Sequence, residues 1–565
     1  MKRFFYIILA AALLVFSSCE KEPVNSGNNQ QQGQQQGQEG QQGQGGQQGG
    51  QEEQVNWTYY FANYFAYDLM DYYYLWKKEV KSKMTAWSRD FNVEPIAKVA
   101  SVKYKHATDS DLDDRWTQLT DDYKSFMGDV TGVTTTYGYD FYHFEQDENK
   151  YDRALATVRY TYPGSPAAEA GLKRGDVIVK VNGQDIPINF VGNSGYLDTD
   201  FIYREMVYSS SCTLELKTGE TIKMTAREMV ENPVILYHIL ENEGRKIGYL
   251  HYTSFTAESC AYLIEACQYF KDEGVKELIL DLRYNGGGAV VAEELFISML
   301  APRANVEAED IFEKEIYNAE YSANRLKWYG EDANVSRFSF QHDFVFDDKD
   351  YHFNTSNANI GLEKIYAIVT EDSASASEAL LCCLKPFYGD NLVIIGKQTH
   401  GKYCGGYIIS SDDYFQDIKD QYNNPEYGFS AEEIAEANEF CAEGVKNASN
   451  WGLYVMVSSY SDRDGVTLCK PNGIKPDYVA TDNPKDTHQL GDPEEPMLKT
   501  TLRRAGFTVA SSSTEQAPER IVNIKTIPFN RREKPGMVRE ITSLPKQLRG
   551  PLKLQTSNDQ YTRAE

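Results

Sequence analysis

The sequence is short of basic residues: 57 Lys and Arg stand against 83 Asp and Glu, for a formal charge of −26 over 565 residues. A surface of that sign repels a phosphate backbone, which excludes nucleic acid as a partner. Cysteines at paired spacing are missing too, although an exported location would permit a disulfide that the sequence cannot pair. Of nine cysteines, eight follow Cys19, with no CxxC…CxxC array to hold a metal. The adjacent Cys382 and Cys383, and Cys260 and Cys267 two helical turns apart, read as buried free thiols. No metal and no cofactor is expected. The N-terminal apolar run, Phe4 to Phe16, stops short of the ~20 residues a membrane-spanning helix needs.

That run follows Met1-Lys2-Arg3 and ends in Val15-Phe16-Ser17-Ser18-Cys19. A basic head, a short apolar stretch and small residues before a cysteine make a secretory signal that resembles a bacterial lipobox, with Cys19 as the lipidated residue. The alternative is an ordinary secretory signal with a chance cysteine. Residues 26–54 are almost entirely Gln, Gly and Glu, a composition that forms no core and acts as a solvated tether. The expected location is the cell envelope of a Gram-negative bacterium, as an outer-membrane lipoprotein facing the periplasm or the cell surface. The membrane is then a partner only through the lipid.

At ~150 residues per domain the length allows three or four units. The expected division is signal 1–18, tether 19–55, a helical N-terminal domain 56–126, a second unit 127–230, a core 231–500 and an extension 501–565. Aromatics and Leu recur at helical spacing from Trp57 to Val80, a packing stripe. After Met229 strands and helices alternate. Residues 246–255, 277–282, 365–370 and 392–395 read as strands, and 258–270 and 290–300 as helices, which argues an α/β (α+β) core. Two polar stretches, 303–360 and 405–450, read as insertions. The tail after Ser511 turns basic and proline-punctuated.

Four short motifs carry chemistry. YPGSPAAEAGLKRGDVIVKVNGQDI (162–186) is a turn, a small helix and a strand closed by Asn-Gly. ELILDLRYNGGG (277–288) runs a buried strand into glycines whose N–H groups can face an anion. IYAIVTEDSASASEALLCCL (365–384) is a strand-turn-helix junction with serines at 373, 375 and 377. Such a junction can hold up a nucleophile, but Ser375-Ala376-Ser377-Glu378 also matches a capping box, which needs no catalysis. LVIIGKQTHGKYCGG (392–406) delivers Lys402 from the end of an apolar strand. Desolvation there can turn an ammonium into an amine able to deprotonate a serine.

The first motif resembles the core of a PDZ domain, a fold that captures a peptide C-terminus by strand addition. Its carboxylate loop would fall on Tyr137, Gly138 and Tyr139, with Asp140 ill-placed beside an incoming carboxylate. The alternative is a PDZ fold used as a hinge or lid. Together, in order, the motifs resemble the C-terminal processing peptidases over about residues 127–482, down to a closing NGIKPD at 472–477. That resemblance implies a ClpP/crotonase-like core with an N-terminal helical domain and a PDZ domain. It also implies a serine endopeptidase that cuts polypeptides near their C-termini with a Ser-Lys dyad. It carries the nucleophile to Ser375, the base to Lys402 and the oxyanion hole to Ala376 with Gly286 or Gly287. Supporting roles fall on Glu378 and on Thr399, which would orient the lysine amine. The chain departs from the family in its Ser375–Lys402 interval, longer by an apparent loop insertion, LKPFYGDN; counting from Ser377 would restore the spacing. His400 replaces a phenylalanine and Tyr403 a glycine, and His400 leaves a histidine-assisted variant open. The competing functions are an inactive peptide-binding scaffold, and crotonase-type acyl chemistry, which leaves the PDZ motif and Lys402 unexplained.

Overall fold

The computed structural model describes residues 55–507, apart from 128–132, 142, 192–193, 347–348 and 468–471, and again 538–540. Cys19, the signal, the tether and most of the tail lie outside the described residues.

The most apolar segments form the central sheet. Its order is Val234–Asn242, Arg245–Tyr252, Glu277–Asp281, Lys364–Val369, Leu392–Gly396 and Tyr478–Val479. The first pair is antiparallel and the rest are parallel. Parallel strands are covered on both faces, which is why ELILD, KIYAIV and LVIIG read as near-continuous apolar runs. Helices Ser259–Asp272, Val290–Leu300 and Ala376–Tyr388 cover one face, and Pro496–Arg504 packs on the other through Met497, Leu498 and Leu502.

A second sheet draws three of its strands from the stretches read above as insertions. It runs Val335–Arg337, Ile311–Tyr317, Gly452–Asp462, Cys404–Ser410, Val538–Glu540, with Gln118–Thr120 also pairing to the long strand. Helix Trp57–Tyr73 and helices Ser411–Asn423 and Ala431–Ala448 share one aromatic-rich core with that sheet. The Asn- and Asp-rich sequence at 411–450 is therefore the wet face of two amphipathic helices, and CGGYIIS at 404–410 is a strand buried along its whole length.

Residues 143–225 build a seven-stranded antiparallel sheet with its own core, including Ile178, Val181, Ile186 and Leu214. Val177–Val181 is the strand of the GDVIVKV motif, and Pro166–Glu169 the short helix before it, capped by Ser165.

Candidate active site

Strand Lys364–Val369 ends in a tight turn, and helix Ala376–Tyr388 begins immediately after Ser375. The three serines of the turn differ. Ser373 donates its hydroxyl to the Leu282 carbonyl at 2.8 Å and accepts from the Thr370 N–H at 3.0 Å. Ser377 donates to the Asn285 carbonyl at 3.1 Å. Ser375 is fully buried, and its Oγ has no hydrogen-bond partner. Its backbone is strained, with φ +60° and ψ −111°. A non-glycine residue held there costs ~1–3 kcal/mol. LKPFYGDN, read above as an inserted loop, is instead the last turn of this helix, through Pro386, followed by the 3-10 turn Gly389–Asn391.

The glycine loop is clamped against that turn. The Ala374 N–H donates to the Asn285 carbonyl at 3.0 Å, and the Asn285 amide donates to the Tyr252 carbonyl at 3.0 Å. Gly287 adopts φ +98°; a Cβ there would lie 2.9 Å from each of Ala374 O, Ala376 N and Ser375 Cβ. Its N–H is taken by Asn285 Oδ1 at 2.9 Å, an Asx turn. Gly286 has open space before it, and neither its N–H nor that of Ala376 is hydrogen-bonded among the described residues. Of the two glycines considered, Gly286 is the one left with a donor to offer. The Asn285 side chain makes that distinction, and an Asn two residues before a Gly is the sequence signal for it.

Lys402 arrives on the strand side. Glu378, fully buried in the first turn of the helix, gathers the two halves of the site. Its Oε2 accepts from the Ser375 N–H at 2.8 Å and the Lys402 N–H at 3.0 Å; its Oε1 accepts from the Gly401 N–H at 2.8 Å and from the Thr399 hydroxyl. Burial pushes this carboxyl up to about 7, against the four donors that favour its charge. Thr399 serves Glu378, and accepts from the Ile474 N–H at 2.6 Å. The lysine amine also meets residues the sequence did not indicate. Lys402 Nζ donates to the Tyr454 hydroxyl at 2.9 Å, and lies 5.1 Å from the Tyr454 ring centre and 5.5 Å from that of Trp116. The Tyr460 hydroxyl reaches the carbonyls of Ser375 at 3.5 Å and Lys402 at 3.3 Å. These rings come from residues far apart in the chain, and no local pattern marks them. The His400 N–H donates to the Ser373 carbonyl at 3.0 Å. Among the described residues no cluster of three or more His, Cys, Asp or Glu could hold a metal ion.

The residues expected to form a carboxylate loop are engaged within their own unit. The Gly138 N–H donates to Thr136 Oγ1 at 2.9 Å, the Tyr137 hydroxyl bonds Ser209, and the Tyr139 hydroxyl donates to the Met206 carbonyl at 3.3 Å. Asp140 pairs with Arg159 at 2.6 Å, and Arg159 reaches across to Asp372, in the serine turn, also at 2.6 Å. Arg174 donates to the Tyr284 hydroxyl, at the start of the glycine loop, at 2.9 Å and to Asp482 at 2.8 Å. The small sheet unit therefore rests directly on both loops of the site.

Comparison with known proteins agrees with this architecture. Residues 246–480 match the profile of peptidase family S41, and residues 157–192 match that of a PDZ domain. Over 136 residues the chain is 32% identical to the carboxyl-terminal-processing protease of Picosynechococcus sp., covering 23% of this chain and 31% of that protein. Over 174 residues it is 28% identical to the chloroplastic C-terminal processing peptidase of Tetradesmus obliquus, covering 28% and 36%. The matched stretches thus span about a third of these relatives. A solved structure from Bacteroides fragilis NCTC 9343, described as a candidate S41 protease, superposes with a TM-score of 0.54 at 20% identity, covering 79% of this chain and 98% of that one. At that identity the likeness is one of fold. Residues 246–480 are thus similar to peptidase family S41, with a stretch similar to a PDZ domain ahead of them.

Proposed function

We propose that this chain is a serine endopeptidase that cuts polypeptides near their C-termini, exported and held to the outer membrane through lipid on Cys19, with the PDZ domain assisting substrate binding. Ser375 is the nucleophile, Lys402 the general base, and the N–H groups of Ala376 and Gly286 the oxyanion donors. The observation that carries this reading is the contrast among the serines: only Ser375, of the three, keeps its hydroxyl unbonded, on a strained elbow beside two unbonded N–H groups.

In the reaction the neutral Lys402 amine takes the Ser375 proton as Oγ attacks the scissile carbonyl. The oxyanion is met by the two N–H groups, each typically worth ~2.7–4 kcal/mol in the transition state. Lys402 then returns the proton to the leaving amine as the C–N bond breaks; a water, deprotonated by Lys402, attacks the acyl-enzyme, and Lys402 gives that proton back to Ser375 Oγ as the acyl C–O bond breaks. In the present geometry Nζ is bonded to Tyr454, so substrate binding has to turn it toward Oγ, as catalytic contacts often tighten only with substrate. That same contact favours the second reading, an inactive peptide-binding scaffold.

The test uses the chain without its first 54 residues and an unstructured protein substrate. Ser375→Ala and Lys402→Ala should each lose at least ~10³-fold in kcat/KM, while Ser377→Ala keeps most of the activity. Loss with Ser377→Ala but not Ser375→Ala would overturn the assignment; no cleavage by any form supports the scaffold.

A further inference from the structure

Strand Cys404–Ser410, which leaves Lys402, has Gly452–Asp462 on one edge. Its other edge is taken by the chain's own tail: residues 538–540 run parallel to it, with Val538 opposite Gly406 and Glu540 opposite Tyr407. The same three residues lie against helix Val290–Leu300, which opens just after the glycine loop. The tail strand therefore bridges the element leaving the lysine and the element leaving the oxyanion loop. Ser375 is 0% exposed and Lys402 3%, so a substrate has to displace part of the protein to reach them. A three-residue strand held at two register positions is easily displaced.

Charge points the same way. Residues 511–565 carry ten Lys and Arg against six Asp and Glu, in a chain of formal charge −26. A basic extension is drawn to its own acidic body. An open strand edge is a template for any extended chain, and adding a strand to such an edge is a general way of binding peptides.

We propose that the Gly406–Tyr407 edge is the docking edge for an extended polypeptide substrate, running parallel to Cys404–Ser410, and that residues 538–540 are a built-in competitor for it. The proposal rests on the peptidase reading for what the docked peptide is, but its test does not need turnover. The full chain carrying Ser375→Ala is titrated with a fluorescent unstructured peptide, with and without Val538→Pro, which removes a strand N–H and is poorly tolerated in a paired strand. A tail seated nine-tenths of the time lowers apparent affinity about tenfold, so Val538→Pro should tighten binding by about that factor. A synthetic peptide of residues 530–546 should compete. In the chain with its native tail, adding the fluorescent peptide should raise hydrogen exchange across 536–541. Equal affinity with and without Val538→Pro, no competition and unchanged exchange would overturn the proposal, as would a lowered melting temperature with binding unmoved, which would make the tail a structural cover. Tighter binding by the Val538→Pro chain, with no cleavage by any active-serine form, would keep the docking edge and sink the peptidase reading.

Discussion

At the scale of single residues, Glu378 holds the site together by its lone pairs. Two carboxylate oxygens offer about four acceptor positions, and four donors fill them: the N–H groups of Ser375, Gly401 and Lys402, and the Thr399 hydroxyl. Protonating the carboxyl takes one position away and releases one donor. With burial pushing the group up to about 7, that exchange falls within the neutral range. The sign for stability and the sign for activity differ. A carboxyl raised above its ordinary value contributes stability that is present below about pH 4 and is lost as pH rises through about 7. In the proposed reaction activity runs the other way, since the ionised form aligns Ser375 with Lys402, and Lys402 must also lose its proton to act as a base. The acidic limb of kcat/KM should therefore fall with the uptake of two protons, and Glu378→Gln should leave a shallower limb with one. Gln also turns an amide toward N–H donors, at a cost of ~1–3 kcal/mol. A pH profile of unchanged steepness would show that Glu378 only packs.

At the scale of elements, the site is two loops pressed together, and glycine is required where they meet. Gly287 has φ +98° and no room for a Cβ, while Gly286, one residue earlier, faces open space. Gly287→Ala should destabilise the fold by at least ~1–3 kcal/mol from backbone strain alone and, by shifting Ser375, lose ~10²-fold or more in activity. Gly286→Ala keeps its N–H and should melt close to the parent. Melting curves and kcat/KM of the pair check this, and equal tolerance at both positions would contradict the clamp. This junction was largely legible in the sequence, because strand, turn and helix are contiguous and a parallel strand buried on both faces shows as an apolar run. The second sheet was not. Its strand Cys404–Ser410 opens with two glycines after Cys404, and its helices carry their polar face in the composition, so 405–450 looked like an insertion. Trp116, Tyr454 and Tyr460 meet the site only through that sheet and the N-terminal segment. The tyrosine content announced packing, but nothing local separated Tyr454 and Tyr460 from the other tyrosines among the 40.

At the scale of the whole molecule, the PDZ-like sheet of residues 143–225 joins the unit built on the central sheet through charges as well as rings. Tyr160 stacks on Tyr284 at 5.9 Å, and Arg159 lies over the same ring at 4.1 Å. Behind them Arg283 is fully buried between Asp281 and Glu495, and Arg174 reaches in from the PDZ side to Asp482. Burial alone would raise the Asp482 carboxyl, but Arg174, Arg283 and the Tyr284 hydroxyl hold it well below the ordinary carboxylate range. A buried pair of this kind adds little over an apolar contact while intact, yet breaking it strands a charge at a cost of ~3–5 kcal/mol. Arg174→Met should fall at or below the lower end of that range, because Arg283 and Tyr284 remain with Asp482. The sign with pH follows from the depressed carboxyl: its contribution is present above the ordinary value near 4 and is lost as pH falls toward the folded value. In Arg174→Met the carboxyl moves back up and that contribution shrinks. The gap in melting temperature between parent and variant should therefore be constant above about pH 5 and close progressively in acid. A gap that stayed open down to pH 2 would mean that Arg174 holds the two domains by packing alone.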